Sequence, residues 1–254
     1  MRIRQSFPVV LVAAFFLAAL CVHAQNQSAP DAGTSAARDL DSLHALLRSP
    51  QPITWVFTGD SVTAGDKWTH GVRDYTQLFC EHVRWDMQRG RDIVINTAVS
   101  GNKTDDILRD FDWRVAHLRP NIVSLMIGMN DSTRGPAGEA IFEANLQKLI
   151  EEIRANGAIP ILQTTNWTLS DPHRTDLPAY NAIIKDVAVR EHVILVENWQ
   201  YWHQHRTLEN LSQWLGNPIH PNGSGHAAIA KEMFLTLGIA AASPNSIPMG
   251  QGLR

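Results

Sequence analysis

Four short strings of residues carry groups that together suit acyl transfer. In chain order they are Gly59-Asp60-Ser61-Val62, Ser100-Gly101-Asn102, Gly128-Met129-Asn130-Asp131 and His220-Pro221-Asn222. They offer, in turn, a hydroxyl nucleophile, a backbone N–H group, a side-chain amide and an imidazole base. A serine attacks an ester only when a base takes its proton, and the oxyanion that forms needs fixed hydrogen-bond donors. The four strings therefore indicate an enzyme that hydrolyses ester bonds.

Each string on its own also has a plain structural explanation. Ser61 follows an apolar run, and a serine at such a position often caps the start of a helix. Gly101 would serve in an ordinary turn, and Asn130 with Asp131 would form one. The chemical interpretation depends on all four strings occurring in one chain, each just after a predicted strand or in a late loop.

The histidine string is flanked by prolines and has a second histidine close by. Pro218 and Pro221 restrict the backbone on both sides of His220, which helps to aim its imidazole. His226 raises the alternative of a metal site, but the spacing is not a strong ligand pattern and no cysteine or carboxylate cluster accompanies it. We therefore expect no metal, and we expect His226 to pack or cap near the start of the last helix.

Five short apolar runs, rich in Ile and Val and without strict alternation, predict strands that are covered on both faces. They span residues 53–58, 93–96, 122–127, 159–163 and 193–196. Segments with the spacing of one helical face lie among them, around residues 75–83, 142–153 and 229–237. This alternation predicts an α/β fold with a five-stranded parallel sheet, in which ligands bind outside the carboxyl ends of the strands.

The start of the chain predicts export. Residues 1–24 carry Arg2 and Arg4 before an apolar run, and Val22-His23-Ala24 suits cleavage of a signal peptide after residue 24. The apolar run is too short for a comfortable membrane span. We therefore expect a periplasmic or extracellular protein with no membrane span after cleavage. The alternative is a lipoprotein anchored at Cys21, which Leu20 disfavours because a small residue is expected there.

The rest of the chain divides into three parts. Residues 25–39 are rich in Ala, Ser, Gln, Asp and Gly without an apolar period, which predicts a flexible linker. Residues 40–239 hold the alternating pattern and predict one domain, and residues 240–254 predict a loosely ordered tail.

Composition argues against several classes of partner. The formal net charge is −3 and no basic run stands out, which disfavours a nucleic-acid or anionic-membrane surface. Cys80 would be the only cysteine after signal cleavage, so no intrachain disulfide is expected, and its apolar neighbours favour a buried thiol. The sequence does not indicate the oligomeric state.

The four strings, in this order, resemble the sequence blocks of the SGNH hydrolase superfamily, also called GDSL-type esterases and lipases. The resemblance covers roughly residues 53–237. It implies a flavodoxin-like, three-layer α/β/α fold, with Ser61 as nucleophile and His220 as general base. It also implies that the N–H groups of Ser61 and Gly101 and the amide of Asn130 hold the oxyanion, and that no metal or organic cofactor takes part.

One position departs from the family pattern. The family usually has an aspartate three residues before the histidine, where this chain has Asn217. An aspartate there orients the imidazole and stabilises the imidazolium. Three interpretations stay open: a Ser–His dyad with a neutral orienting oxygen, an acid supplied from elsewhere, or a weak or inactive hydrolase.

The sequence is least informative about the substrate. Five of the eight tryptophans lie in or near predicted loops, namely Trp68, Trp167, Trp199, Trp202 and Trp214. Exposed tryptophans would stack on sugars, whereas packed ones would only fill gaps between helices and sheet. The expectation is a secreted serine esterase that removes short acyl groups, such as acetyl, from a small-molecule or polysaccharide ester. The alternative is an inactive carbohydrate-binding module with the same fold.

Overall fold

The structure, a computed structural model, describes residues 32–65, 67–169, 171–205 and 208–239. Its strands are β1 (Thr54–Gly59), β2 (Ile93–Asn96), β3 (Ile122–Met126), β4 (Ile159–Gln163) and β5 (Ile194–Val196). They form a five-stranded sheet in the order β2-β1-β3-β4-β5, and every pairing is parallel. The predicted strands are thus confirmed to within one residue at each end, and β1 and β3 lie at the centre.

The described residues also form helices before, between and after the strands. They are α1 (Ala32–Arg48), α2 (Ser61–Ala64), α3 (Tyr75–Glu81), α4 (Thr104–Arg109), α5 (Phe111–Arg114), α6 (Glu139–Ala155), α7 (Leu177–Arg190), α8 (Asn198–His205), α9 (Leu208–Trp214) and α10 (Gly223–Thr236). A π-helical turn (His82–Asp86) extends α3, and 3₁₀ turns (Asp131–Arg134 and Pro136–Gly138) follow β3. The segments predicted as helical correspond to α3 with its extension, α6 and α10.

Alternate residues of the strands face two separate apolar cores. Trp55 and Phe57 of β1 point into a core that is closed by side chains of α1, α3, α8 and α10. Val56, between them, points into a second core that is closed by side chains of α4 to α7. Because successive residues of a strand point to opposite faces, the sheet is covered by helices on both sides. The three-layer α/β/α architecture is therefore confirmed.

The predicted linker is wrong for residues 32–39, because α1 already begins at Ala32. Leu43 of this helix is fully buried against the sheet, and His44 Nε2 lies 2.8 Å from the carbonyl oxygen of Leu237. Asp39 pairs with Arg154 at 2.9 Å. The domain therefore begins before residue 40, since its first helix packs on the core and is tied to α6 and to the end of α10.

Two expectations about burial are also wrong. Strand β2 is at an edge of the sheet and is not covered on both faces, since Ile93 is 54% exposed. An apolar run alone does not distinguish an edge strand from a central one. The thiol of Cys80 is half-buried rather than buried.

Three expectations about the ends of the chain lie outside the described residues. These are the signal peptide at residues 1–24, the first part of the linker at 25–31 and the tail at 240–254. Within the described ranges, no helix is long and apolar enough to cross a membrane.

Candidate active site

A tight turn at the end of β1 presents Ser61. Asp60 caps α2, accepting a hydrogen bond from the N–H of Val62 at 3.0 Å, so Asp60 and not Ser61 is the capping residue. Gly59, just before it, approaches β3 so closely that a Cβ atom there would lie 2.1 Å from the carbonyl oxygen of Met126. The sheet therefore fixes the position at which the chain leaves β1, and the first residue of α2 is the serine.

The structure brings Ser61 and His220 together. Ser61 Oγ lies 2.8 Å from His220 Nε2, and His220 Nδ1 lies 3.1 Å from Oδ1 of Asn217. This arrangement spans 159 positions in sequence between the serine and the histidine. Among the described residues no carboxylate hydrogen-bonds to the ring, so Asn217 occupies the place at which the family usually has an acid.

The hydrogen bonds around Asn217 decide the tautomer of the imidazole. The backbone N–H groups of Ile219 and His220 both donate to the same atom of Asn217, at 2.9 and 2.7 Å. Of the two terminal atoms of a carboxamide, only the oxygen accepts from N–H, so this atom is Oδ1 and not the amide nitrogen. Nδ1 of His220 must then carry the proton and donate it to Oδ1. That leaves Nε2 as the acceptor for the hydroxyl of Ser61, as a general base requires.

The imidazole of His220 is also held by a stacking contact on one face of the ring. The indole of Trp68 stacks on the ring of His220 with centroids 4.5 Å apart and planes 14° from parallel. Burial of the imidazole, and then the positive charge of Arg174, lower the pKa of His220 to about 4. His220 is therefore neutral, and able to accept a proton, from about pH 5 upward.

The loops after β2 and β3 carry the two expected oxyanion donors. Gly101 has φ of +84° with open space around it, so glycine is needed for this backbone conformation and not for lack of room. Asn130 follows β3, and its Nδ2 donates to the carbonyl oxygen of Asn102 at 3.1 Å. Because β2, β1 and β3 are neighbours, both loops lie at the same sheet edge as Ser61. The oxyanion roles of Gly101 and Asn130 stay predictions.

A buried arginine connects two of these elements. Arg114 is 5% exposed and donates to the carbonyl oxygen of Thr97 at 2.7 Å, to that of Gly59 at 3.5 Å and to Oδ1 of Asn102. It therefore ties the end of β1 to the loop that contains Gly101. A second arginine, Arg174, reaches Asn130 from the loop before α7.

Two carboxylates next to the site are buried. Asp60 is 1% exposed and Asp131 is fully buried, and the Oδ2 atom of each has no hydrogen-bond partner in the described part of the chain. Burial raises the pKa of Asp60 to about 7, in spite of the hydrogen bond from Val62. Burial also raises the pKa of Asp131, against the bonds from Thr104. Both groups therefore hold a proton more readily than ordinary aspartates.

His226 packs as expected. Its side chain is 1% exposed, it stacks on Tyr75, and its Nδ1 accepts from the N–H of Tyr75 at 3.3 Å, whereas Asn222 caps α10. In the described ranges, no group of three or more His, Cys, Asp or Glu side chains is placed to hold a metal ion.

None of the five tryptophans in or near predicted loops is strongly exposed, so they are closer to the packing alternative than to the sugar-stacking one. Trp202 is fully buried, and Trp68, Trp167, Trp199 and Trp214 are half-buried. Trp167 and Trp199 pack against each other with ring centroids 4.4 Å apart. The strongly exposed tryptophans of the described residues are instead Trp85 and Trp113, at 73% and 75%.

An open cavity of about 520 Å³ borders the site beside Arg174. Side chains from the 3₁₀ turns after β3 and from the loop before α7 line it: Ser132, Thr133, Pro172, His173, Arg174, Thr175 and Asp176, together with Gly135. Apart from the proline and the glycine these residues are polar. The cavity therefore suits a hydroxyl-rich group better than a long acyl chain.

Sequence reasoning missed Arg114 and Arg174. Neither lies in one of the four strings, and a single arginine in a loop or short helix carries no local signal of its role. Their partners are up to 56 positions away in sequence, so only the folded arrangement identifies them.

Comparisons with known proteins agree with this geometry. The model of the GDSL-like lipase/acylhydrolase family matches residues 57–228. The uncharacterized lipoprotein YqeF of Bacillus subtilis is 28% identical over 171 residues, which cover 57% of this chain and 70% of the relative. An acetylxylan esterase of Geobacillus stearothermophilus is 24% identical over 157 residues, which cover 57% of this chain and 72% of that enzyme.

The fold has solved counterparts. The crystal structure of an acetylxylan esterase from Geobacillus stearothermophilus superposes with a TM-score of 0.63 at 21% identity, covering 76% of this chain and 97% of that one. The family match begins within β1 and includes Ser61, the loops after β2 and β3, and the segment that contains His220. The chain therefore belongs to the GDSL-like lipase/acylhydrolase family and is an ester-hydrolysing serine hydrolase.

Proposed function

We propose that this chain is an exported esterase that removes short acyl groups, acetyl above all, from a hydroxyl-rich alcohol such as a polysaccharide. The observation that carries the proposal is the continuous hydrogen-bonded chain from Ser61 Oγ through the ring of His220 to Asn217 Oδ1. It combines a nucleophile, a base in the required tautomer and an orienting acceptor.

The mechanism uses a dyad with a neutral third member. Ser61 Oγ attacks the ester carbonyl carbon while His220 Nε2 takes the hydroxyl proton. The N–H groups of Ser61 and Gly101 and the amide of Asn130 hold the oxyanion. When the intermediate collapses, the imidazolium gives its proton to the departing alcohol and an acyl-serine remains. A water molecule, deprotonated by His220, then releases the acid and restores Ser61.

Crystallised catalytic mutants of the Geobacillus esterase support this assignment of roles. They replace a serine, an aspartate and a histidine, and the last two are three positions apart. Here Asn217 stands three positions before His220. The neutral oxygen orients the ring but adds no charge, which favours a slower enzyme over an inactive one.

The polar cavity beside Arg174 and the name of the acetylxylan esterase relative support a carbohydrate ester as substrate. The small-molecule ester stays the second candidate, because an open cavity also admits one. The proposal of export is based on the signal-peptide pattern of residues 1–24, and the relative that is named a lipoprotein is consistent with it.

The test is labelling of the purified protein with a fluorophosphonate, followed by assays on acetylated xylooligosaccharides, nitrophenyl acetate and nitrophenyl palmitate. We expect one label per chain, at Ser61, and acetate release that Ser61→Ala abolishes with little change in melting temperature. Ser49→Ala, directly after the end of α1, is the matched control and should label normally.

Absence of labelling in well-folded protein would instead favour the carbohydrate-binding module. Labelling with turnover of palmitate but not of acetyl esters would overturn the substrate class while leaving the nucleophile intact.

A further inference from the structure

Arg174 contacts the segment of Asn130 through several of its donors at once. Its Nε donates to the carbonyl oxygen of Met129 at 3.1 Å, and its Nη2 donates to Oδ1 of Asn130 at 3.4 Å. Its Nη1 pairs with Asp171. The side chain is only 16% exposed, so these contacts are shielded from water. Arg174 thus joins the loop before α7 to the loop after β3.

The orientation of the Asn130 carboxamide matters for the proposed mechanism. An oxyanion needs an N–H donor, and a carboxamide turned by 180° would present an oxygen and repel the developing charge. A guanidinium group donates and never accepts, so it selects Oδ1 as its neighbour. The opposite end of the amide, Nδ2, then faces the carbonyl oxygen of Asn102, beside Gly101.

We propose that Arg174 is a positioning residue that fixes the Asn130 carboxamide with its N–H groups toward the oxyanion. The inference rests on the proposed function, since it assigns a role in the same reaction. One N–H of Nδ2 is used by Asn102, and the second is left for substrate. A positive neighbour on Oδ1 also polarises the amide, which makes its N–H groups better donors.

A second effect of Arg174 gives an independent measurement. Its charge also faces His220 and contributes to the lowered pKa of that residue, after the effect of burial. Among the described residues, His226 of α10 interacts electrostatically with His220, Asp171 pairs with Arg174, and Lys67 lies over the indole of Trp68 that stacks on the imidazole. Loss of the cation should therefore move the pKa of His220 upward in Arg174→Met but not in Arg174→Lys, whereas a repacking that exposes the ring would raise the pKa in both variants.

The experiment compares Arg174→Met, Arg174→Lys and Arg134→Met. Arg134 lies in the 3₁₀ turn after Asn130 and pairs with Asp105, so Arg134→Met breaks a comparable ion pair without touching the carboxamide. We expect kcat on nitrophenyl acetate to fall by about tenfold in both Arg174 variants with little change in KM, less than for complete loss of an oxyanion donor. The acidic limb of the kcat/KM profile should move to higher pH in Arg174→Met only, because lysine keeps the positive charge. Lysine lacks the planar guanidinium, so kcat should still fall in Arg174→Lys.

A double-mutant cycle distinguishes action through Asn130 from a separate effect. Added to Asn130→Ala, the Arg174→Met change should lower kcat no further, since the amide that it positions is already absent. Additive losses, a change confined to KM, or an equal loss in Arg134→Met would each overturn the proposal. The side-chain amide NMR signals of Asn130 should also shift in Arg174→Met. This readout tests the positioning role even if the wild-type protein hydrolyses no ester. Absence of ester hydrolysis would contradict the proposed function but not the positioning role.

Discussion

Asn217→Asp is the change that tests the site most directly. The carboxylate would keep every observed contact, because Oδ1 alone accepts from Ile219 N–H, His220 N–H and His220 Nδ1. No hydrogen bond of the Asn217 amide nitrogen is present among the described contacts. The substitution therefore adds a negative charge 3.1 Å from Nδ1 without removing a bond.

The size of the effect follows from that distance. Two unit charges about 4 Å apart interact by about 4 kcal/mol at an effective dielectric constant of about 20. His220 is only half-buried, so solvent screening reduces this to about 1–3 kcal/mol, or roughly one to two pKa units. The pKa of His220, lowered to about 4 in the native chain, should rise by that amount. Since the same interaction stabilises the imidazolium of the transition state, kcat should rise by about tenfold.

The assay is kcat/KM on one short-chain nitrophenyl ester, measured from about pH 3 to 9, a range that includes both the lowered pKa of His220, about 4, and the ordinary histidine pKa. Asn217→Ala is the matched control. It removes the oxygen that accepts from Nδ1–H, so the imidazole is no longer held in one tautomer and kcat should fall. An acidic limb that stays in place in Asn217→Asp would refute the electrostatic reasoning. A lower rate in that variant would show that another carboxylate already serves the histidine.

Three further outcomes are expected. Asn130→Ala should lower kcat by about 10²–10³ with KM nearly unchanged, because the amide acts mainly in the transition state; a loss in KM alone would make it a binding residue. Asp60→Asn should remove a pH dependence of stability. The native pKa of Asp60 is about 7 against an ordinary 3.8, so the wild-type free energy of unfolding falls by about 4 kcal/mol as pH rises from about 4 to 7. Urea unfolding of the wild type and of Asp60→Asn at about pH 5 and 8 checks this, since His220 and His226 titrate in the same way in both proteins. An equal change of the unfolding free energy with pH in the two proteins would contradict it. Trp68→Leu should move the acidic limb to higher pH, because the indole covers one face of the imidazole and burial is the main cause of its lowered pKa. The less firmly held ring should also reduce kcat by about two- to fivefold. A limb that does not move would show that Trp68 only packs.

The sheet and the four strings were predictable because each depends on local pattern. Apolar runs give the strands, and strand order brings Ser61, Gly101 and Asn130 to one edge once the sheet is parallel. The start of α1 was not predictable in this way. Its first residues have no apolar period, and the helix is held by Leu43, further along, and by the pairing of Asp39 with Arg154.

Long-range charge was also out of reach of the sequence. Arg114 and Arg174 have backbone and side-chain partners that no spacing rule connects to them. Burial of individual tryptophans was equally hidden, because Trp202 is buried and Trp113 exposed although both lie on short helices. Such properties depend on which faces the assembled layers cover.

Gly59 has a consequence for anyone who would redesign the enzyme. Alanine at this position would force β1 away from the carbonyl oxygen of Met126, so the variant would be lost as insoluble or degraded protein. A screen that scores activity in crude lysate would then mark Gly59 as indispensable to chemistry. Dividing activity by the amount of soluble protein would reveal a defect of yield, and a library aimed at new substrates does better to leave this codon fixed.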